Sequence, residues 1–389
     1  MRINPKKFAR AAVIVIILTA ALALGIVYLS VILSGRSIVK NSVLEKQEKK
    51  IERFEKLYDM QDKIDKEFLF DHDESEGMDA MAKALAESLG DEFSEYMTAE
   101  ELRDWEDAVN SAFTGIGITF NVTDGRAEVL SVAEDGPADA AEIKAGDVIR
   151  TVDDKEFANE KEFIKAISGK PGKTLKLGML RGWFPFDAEV TIGEVKVRAV
   201  TSRVIGDDTG YIRITTFSKD SSEEFAAELK TLMGKNVKSL VIDLRDNGGG
   251  YVDQGIKICD QILPECTIVH MENRKGKKKT YNSDEESCGL PLAVLINEKS
   301  ASASEILAAA VKDNKAGKLV GMKTYGKGIA QTEYGFSDGS ALILTTSQFF
   351  SPSGTAINGK GVKPDVKVRE SKEDDDEDRQ LKKAVALLK

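Results

Sequence analysis

The sequence predicts an α/β protein that is interrupted by a compact, mainly-β segment and preceded by one long apolar helix. Three observations carry this prediction. Residues 11–34 run for 24 positions without a charge. Residues 113–198 read as short strands, turn glycines and short helices, and residues 199–370 alternate longer buried strands with helices. A chain of 389 residues has room for two globular domains plus extensions. Its content of 42% hydrophobic and 31% charged residues is ordinary for folded protein. A net charge of -10, with no basic stripe interleaved with aromatics, excludes nucleic acid as the expected partner.

Arg2, Lys6, Lys7 and Arg10 precede the apolar run. At helical rise the run spans a hydrocarbon core, and the positive-inside rule keeps residues 1–10 cytoplasmic with the bulk of the chain outside. A cleaved signal peptide and a buried core helix are the rival readings. Apolar residues continue beyond the cleavage-like Ala21-Leu22-Ala23, so an uncleaved membrane anchor fits better. Residues 35–112 are expected to be helical. Leu44, Ile51, Phe54, Leu57, Tyr58, Ile64 and Phe68 give residues 41–70 one apolar face. Such a helix either packs on its own domain or serves as a stalk or homodimerisation helix. A helix at 78–89, a Gly90-Asp91 turn and a helix from Thr98 to Val109 follow. Thr98 and Glu101 form a capping box at the start of the last of these.

Within the mainly-β segment, strands are expected at 129–132, 175–180 and 188–192, and a turn at Gly146-Asp147 leads into another. Short helices are expected at 137–143 and 161–167. Beyond it, strands at 210–214, 239–244 and 292–296 alternate with helices at 221–233, 253–262 and 303–311. Six acids at 373–378 read as a solvated loop before a helix at 379–388. Cys259, Cys266 and Cys288 have no metal-ligand spacing. Cys259 and Cys266 either form a bridge or are buried as apolar residues.

Lys299 to Glu305 reads Lys-Ser-Ala-Ser-Ala-Ser-Glu, directly after an apolar strand. A strand that turns tightly into a helix there lifts one hydroxyl of Ser300, Ser302 or Ser304 and aims amide N–H groups at its target. The two histidines, His72 and His270, are remote in sequence, so lysine is the substitute base. Lys327 sits between Gly326 and Gly328, where close-packed backbone can strip water from the amine and lower its pKa. Gln331 could hold that amine if the segment curls into a turn. A glycine-rich hairpin with an exposed lysine is the plain alternative. Gly248, Gly249 and Gly250 follow a buried strand and can form an anion-binding nest, or a simple strand-to-helix turn. No Cys/His/Asp cluster has metal spacing, so neither metal nor other cofactor is expected. Gly115, Ile116, Gly117 and Ile118 can offer N–H groups to a carboxylate and continue as a strand edge for an added peptide.

Taken together, these motifs resemble the carboxyl-terminal processing (tail-specific) serine proteases, from about Phe68 to the C-terminus. The resemblance rests on Leu89-Gly90-Asp91-Glu92-Phe93-Ser94-Glu95-Tyr96, Phe113-Thr114-Gly115-Ile116-Gly117-Ile118, Gly146-Asp147-Val148-Ile149 and Asp243-Leu244-Arg245-Asp246-Asn247-Gly248-Gly249-Gly250. Ser300–Ile306, Lys323-Thr324-Tyr325-Gly326-Lys327-Gly328, and Ser351-Pro352-Ser353-Gly354 with Gly361–Asp365 complete it. Glu92 departs from the pattern, where the family usually has proline. The resemblance implies a PDZ domain at 113–198 inserted in a crotonase-like α/β protease core at 199–370, with 371–389 an acidic loop and terminal helix. It implies Ser302 as nucleophile, Lys327 as base and Gln331 as supporting amide. The oxyanion donors it implies are the backbone N–H of Ala303 and of Gly250, with Gly249 open. It also implies that Arg181 couples substrate binding to site assembly. The expected partners are polypeptides with free, apolar C-termini, and the membrane through the anchor. A non-catalytic PDZ scaffold is the competing class, and the intact Ser302, Lys327 and Gln331 set speaks against it.

Overall fold

The computed structural model describes residues 5–33, 41–110, 112–370 and 377–389. The chain divides into two units, Met1–Ser75 and Glu76–Lys389. The first holds α1 (Pro5–Leu33) and α2 (Asn41–Glu67). Within α1, Ala12–Ser30 has a mean hydropathy of 2.8 over 19 residues, long and apolar enough to cross a membrane. The helix starts before the expected position 11, and the expected end at 34 lies outside the described residues. On α2, Ile51, Phe54, Leu57, Tyr58 and Ile64 are exposed.

Helix α3 (Glu74–Glu87) leads to β1 (Glu95–Met97) and α4 (Ala99–Val109). The predicted capping box is present: Thr98 Oγ1 accepts from Glu101 N–H, and the Glu101 carboxylate accepts from Thr98 N–H at 2.9 Å. The inserted domain contains β2 (Ala112–Gly115), β3 (Ile118–Thr123), β4 (Arg126–Val132), α5 (Pro137–Ala140), β5 (Asp147–Val152), α6 (Glu160–Ile167), β6 (Thr174–Arg181), β7 (Phe184–Thr191) and β8 (Gly193–Lys196). Strands β3 to β7 form one antiparallel sheet in sequence order, with β3 at an edge. Alternation along the strands sends Val129, Ile149, Leu175, Leu177 and Val190 into a core closed by Phe163 of α6. Strands β2 and β8 pair with each other, Ala112 opposite Lys196 and Gly115 opposite Gly193, and clasp the two ends of the insertion.

The core then runs through β9 (Val200–Ile205), β10 (Thr209–Ile214), α7 (Ser221–Gly234), β11 (Ser239–Asp243), α8 (Val252–Ile262), β12 (Thr267–Asn273), β13 (Lys278–Asn282), β14 (Leu292–Ile296) and α9 (Ala303–Asp313). It ends with β15 (Gly317–Gly321), β16 (Ile329–Gly335), β17 (Ala341–Phe350), β18 (Val366–Lys367) and α10 (Arg379–Leu387). A six-stranded sheet has the order β18-β15-β14-β11-β10-β9, parallel except at β9. Strands β11 and β14 are buried along their whole length because both sheet faces are covered. Leu240, Ile242, Val294 and Ile296 share a core with residues of α7, α8 and α9, while Val241, Ala293 and Leu295 pack with Ala384 of α10. A second sheet has the order β1-β17-β12-β13, with β16 also on β17. Glu95 of β1 pairs with Ile343 of β17, so the inserted domain interrupts the core rather than preceding it.

Residues 371–376 of the expected solvated acidic loop lie outside the described residues; Glu377 and Asp378, which are described, are exposed and irregular, and Asp378 has a further role. It caps α10 by accepting from Leu381 N–H and pairs with Arg245 at 2.8 Å. The three cysteines are free thiols, with Cys259 fully buried in the main core, so the apolar alternative holds and the bridge does not.

Candidate active site

Strand β14 delivers the chain into a turn at 297–301, after which Ser302 takes φ 56° and ψ −115° immediately before α9. Left-handed φ at a serine is strained, and the same kind of strained elbow serves other serine enzymes to expose a hydroxyl. The three candidate serines part company here. Ser300 Oγ donates to Leu244 O at 2.7 Å and accepts from Asn297 N–H at 3.0 Å. Ser304 Oγ donates to Asn247 O at 3.0 Å. Both are fully buried and stitch the elbow to the loop after β11. Ser302 lines a cavity of about 610 Å³ that also takes in Gly248, Gly250, Lys327 and Gln331.

The loop after β11 is held by Asn247, whose amide donates to Ile214 O at 2.9 Å and whose Oδ1 accepts from Gly249 N–H at 2.8 Å. The N–H of Gly249 is therefore already spent. Beside it, Phe217 N–H bonds Gly249 O and Tyr251 N–H bonds Phe217 O, each at 2.8 Å. The N–H of Gly250 has no acceptor among the described residues, and neither has that of Ala303 in the first turn of α9. Gly249 has φ 110°, and a Cβ there would lie 2.7 Å from Ser302 Cβ. Only glycine lets this loop approach the elbow so closely.

Lys327 lies on an irregular strap between β15 and β16, half-buried, with its ammonium 4.2 Å from the centre of the Phe93 ring. Burial lowers its pKa, and the carboxylates of Asp91, Glu92 and Glu95 oppose that fall. The glycines beside it pack as expected. A Cβ on Gly328 would meet Asn358 N at 2.1 Å, so the strap lies directly on the turn at 357–361. The strap does not curl into a turn at Gln331. That residue belongs to strand β16, and its amide donates to Thr345 Oγ1 of β17 at 3.0 Å. A register shift between Ala330 and Gln331 lets Ile329, Ala330 and Gln331 all line the cavity, which strict alternation would forbid. His270 bonds Thr280 and Pro352 O and does not line this cavity.

One residue was quoted in the serine motif without a role. Glu305 stands three places after Ser302, the spacing of a capping box, and that spacing was the available signal. It is fully buried and accepts from Ser302 N–H at 3.0 Å and Lys327 N–H at 2.8 Å. Phe93, from the Leu89–Tyr96 motif, also lines the cavity, as do Met271, Tyr281 and Trp105, which come from distant elements that no quoted motif marks.

In the inserted domain, Ile116 O accepts from Ala138 N–H and Gly117 O from Ala133 N–H, both at 2.8 Å, which fixes the loop between Gly115 and Ile118. The N–H groups of Ile116 and Gly117 have no acceptor among the described residues, and β3 leaves one edge open. Arg181 sits at the end of β6, away from the Ser302 cavity. Its guanidinium holds the buried Asp147 through two bonds of 2.7 and 2.8 Å, donates to Glu142 O and covers the Phe186 ring. Burial would raise the Asp147 carboxyl, but Arg181 and the N–H of Lys144 hold it below the usual range.

The sequence profile of Peptidase family S41 matches residues 208–368, and that of the PDZ domain matches residues 114–192. The chain is 31% identical to the carboxy-terminal processing protease CtpA of Bacillus subtilis, over 81% of this chain and 69% of that one. It is 32% identical to a probable CtpA-like serine protease of Staphylococcus haemolyticus, over 75% of this chain and 60% of the relative's length. Among solved structures, a photosystem II D1 C-terminal processing protease is 28% identical, with a TM-score of 0.48, covering 80% of this chain and 86% of that one. The two profile matches and the 31% identity to CtpA of Bacillus subtilis over 69% of its length show that the chain belongs to the carboxyl-terminal processing serine proteases of family S41.

Proposed function

We propose that this chain is a membrane-anchored serine endopeptidase that captures the free C-terminus of extracytoplasmic polypeptides and cleaves them through a Ser302–Lys327 dyad. The observation that carries the reading is the division of labour among the serines. Ser300 and Ser304 are buried and bonded, while Ser302 faces the cavity that holds Lys327. In the proposed reaction Ser302 Oγ attacks the scissile carbonyl carbon as Lys327 Nζ takes its proton. The oxyanion forms against the unspent N–H groups of Gly250 and Ala303. Lysine returns the proton to the leaving amine as the C–N bond breaks, and water then hydrolyses the acyl ester. Asn247 occupies the N–H of Gly249, which favours Gly250 as the donor. Gln331 supports the site from the cavity wall through its Thr345 bond rather than by holding the amine directly.

Capture is assigned to the Gly115, Ile116, Gly117 and Ile118 loop. Its free N–H groups suit a terminal carboxylate, and the open edge of β3 suits a peptide added as a strand with apolar terminal side chains. In this proposal Arg181 couples capture to catalysis by exchanging its Asp147 pair for contacts made when substrate is bound. Helix α1 anchors the chain, with the N-terminus cytoplasmic and the catalytic unit outside. The test is cleavage of a labelled peptide with a free apolar C-terminus by the full chain in detergent or vesicles. Wild type is expected to yield two products and Ser302→Ala none while still binding the peptide. Equal cleavage by both would refute the dyad, and binding without cleavage by wild type would favour a PDZ scaffold.

A further inference from the structure

We propose that the Glu305 carboxylate is a positioning residue that sets the nucleophile elbow and the base strap in register with each other. The proposal rests on the Ser302–Lys327 reading and adds to it how two segments far apart in the chain are held to one geometry. One oxygen, Oε2, accepts from both Ser302 N–H at 3.0 Å and Lys327 N–H at 2.8 Å. The other, Oε1, accepts from Gly326 N–H at 2.8 Å and from the Thr324 hydroxyl. Thr324 Oγ1 in turn accepts from Val362 N–H, so its own proton is committed to Glu305. The elbow and the strap share one further link, from Tyr325 N–H to Ser300 O at 3.0 Å.

Four donors converge on a side chain that is fully buried. A carboxylate has the lone pairs for all four, whereas a protonated acid or an amide must turn a donor toward other donors. The four-donor geometry is met in full by the ionised form. Burial holds the Glu305 carboxyl above its ordinary value, and the bonds from Thr324, Ser302, Gly326 and Lys327 only partly offset that rise. A general base must lie within hydrogen-bond reach of the proton it abstracts, and both backbone anchors of the dyad depend on this one group.

The experiment compares wild type, Glu305→Gln, Thr324→Val and Ser302→Ala at alkaline pH, where Lys327 is neutral. It measures kcat, KM, binding of a free-C-terminus peptide, and unfolding. The expected result for Glu305→Gln is a kcat lower by on the order of a hundredfold, the scale of an ångström of misplacement, with KM and peptide binding near wild type. No further rise in pH should restore it, because geometry rather than lysine charge is lost. Thr324→Val removes one donor and should lower kcat by less, again without touching KM; it carries the test if Glu305→Gln does not fold. A kcat near wild type in both variants beside an inactive Ser302→Ala overturns the positioning role alone. So does a loss that higher pH repairs, or one matched by equal loss of peptide binding and of cooperative unfolding. Cleavage persisting in Ser302→Ala overturns the dyad itself and the proposal with it.

Discussion

Around Ser302 polar groups meet intramolecular partners, whereas around β3 they are left open. Ser300, Ser304, Asn247, Asn297 and Glu305 each spend their side chains on backbone groups of neighbouring segments. In that region the N–H groups of Gly250, which lines the cavity, and of Ala303, next to Ser302, have no acceptor among the described residues. In the PDZ domain, among the described residues, the N–H groups of Ile116 and Gly117 are unspent and the outer edge of β3 has no partner strand. The difference teaches what each task demands. On the proposed function, an oxyanion exists briefly and needs donors already in place, which matches the over-determined junction around Ser302. On the same proposal, a peptide terminus is a lasting ligand that supplies its own acceptors, so an edge that captures it can wait unpaired.

The sharpest way to break the comparison is at the base. Lys327→Ala should lower kcat by on the order of a hundredfold to ten-thousandfold, the contribution of a positioned base, and leave peptide binding intact. A Gly249→Ala enzyme comes next. Its Cβ would meet Ser302 Cβ at 2.7 Å, and a displaced elbow should cost on the order of a hundredfold in kcat. Turnover near wild type there would show that the elbow tolerates movement and that the junction is not over-determined. At the capture edge, amidating the substrate C-terminus removes a charge and an acceptor. Charge-assisted hydrogen bonds contribute roughly 1.5–3 kcal/mol, so kcat/KM below saturation should fall about tenfold to a hundredfold. Equal rates for free and amidated peptides would leave the open N–H groups without that role.

The smallest expected effect is on pH dependence. Lysine acts as base only when neutral, so activity should climb as pH rises through its lowered pKa and level off below the ordinary lysine range. Glu92 is one of the carboxylates that hold this pKa up. In Glu92→Gln the lysine loses its proton more readily, and the acid limb of the profile should move to lower pH with the plateau rate unchanged. A limb that stays in place, or moves up, would assign the titration to another group.

Local signals made much of this legible in the sequence. The Thr98 and Glu101 cap, the continuous apolar runs of β11 and β14, and the turn glycines of the inserted domain each depend on neighbours in the chain. The second sheet is different. Strand β17 pairs with β1 across the whole inserted domain, and its half-buried residues show no clean alternation. Nothing local in 341–350 announces that partner, and β12, β13 and β16 depend on β17 or on one another. The turn that would let Gln331 hold the amine is absent for the same reason: pairing with β17 draws the segment out as a strand. At the site, residue types were legible but commitments were not. The bonds that separate Ser302 from Ser300 and Ser304, and Gly250 from Gly249, come from a loop more than 50 residues away from the serines.

The division among the serines is the centre of this account, and parallel cleavage assays of Ser300→Ala, Ser302→Ala and Ser304→Ala test it most directly. Ser302→Ala should bind the tailed peptide and cleave none of it. Ser300→Ala leaves Leu244 O and Asn297 N–H without their buried partner, which should cost about 1–3 kcal/mol of stability while the folded enzyme still turns over. Ser304→Ala should behave in the same way through Asn247 O. Cleavage surviving in Ser302→Ala, or abolished in a folded Ser300→Ala or Ser304→Ala enzyme, would contradict the account.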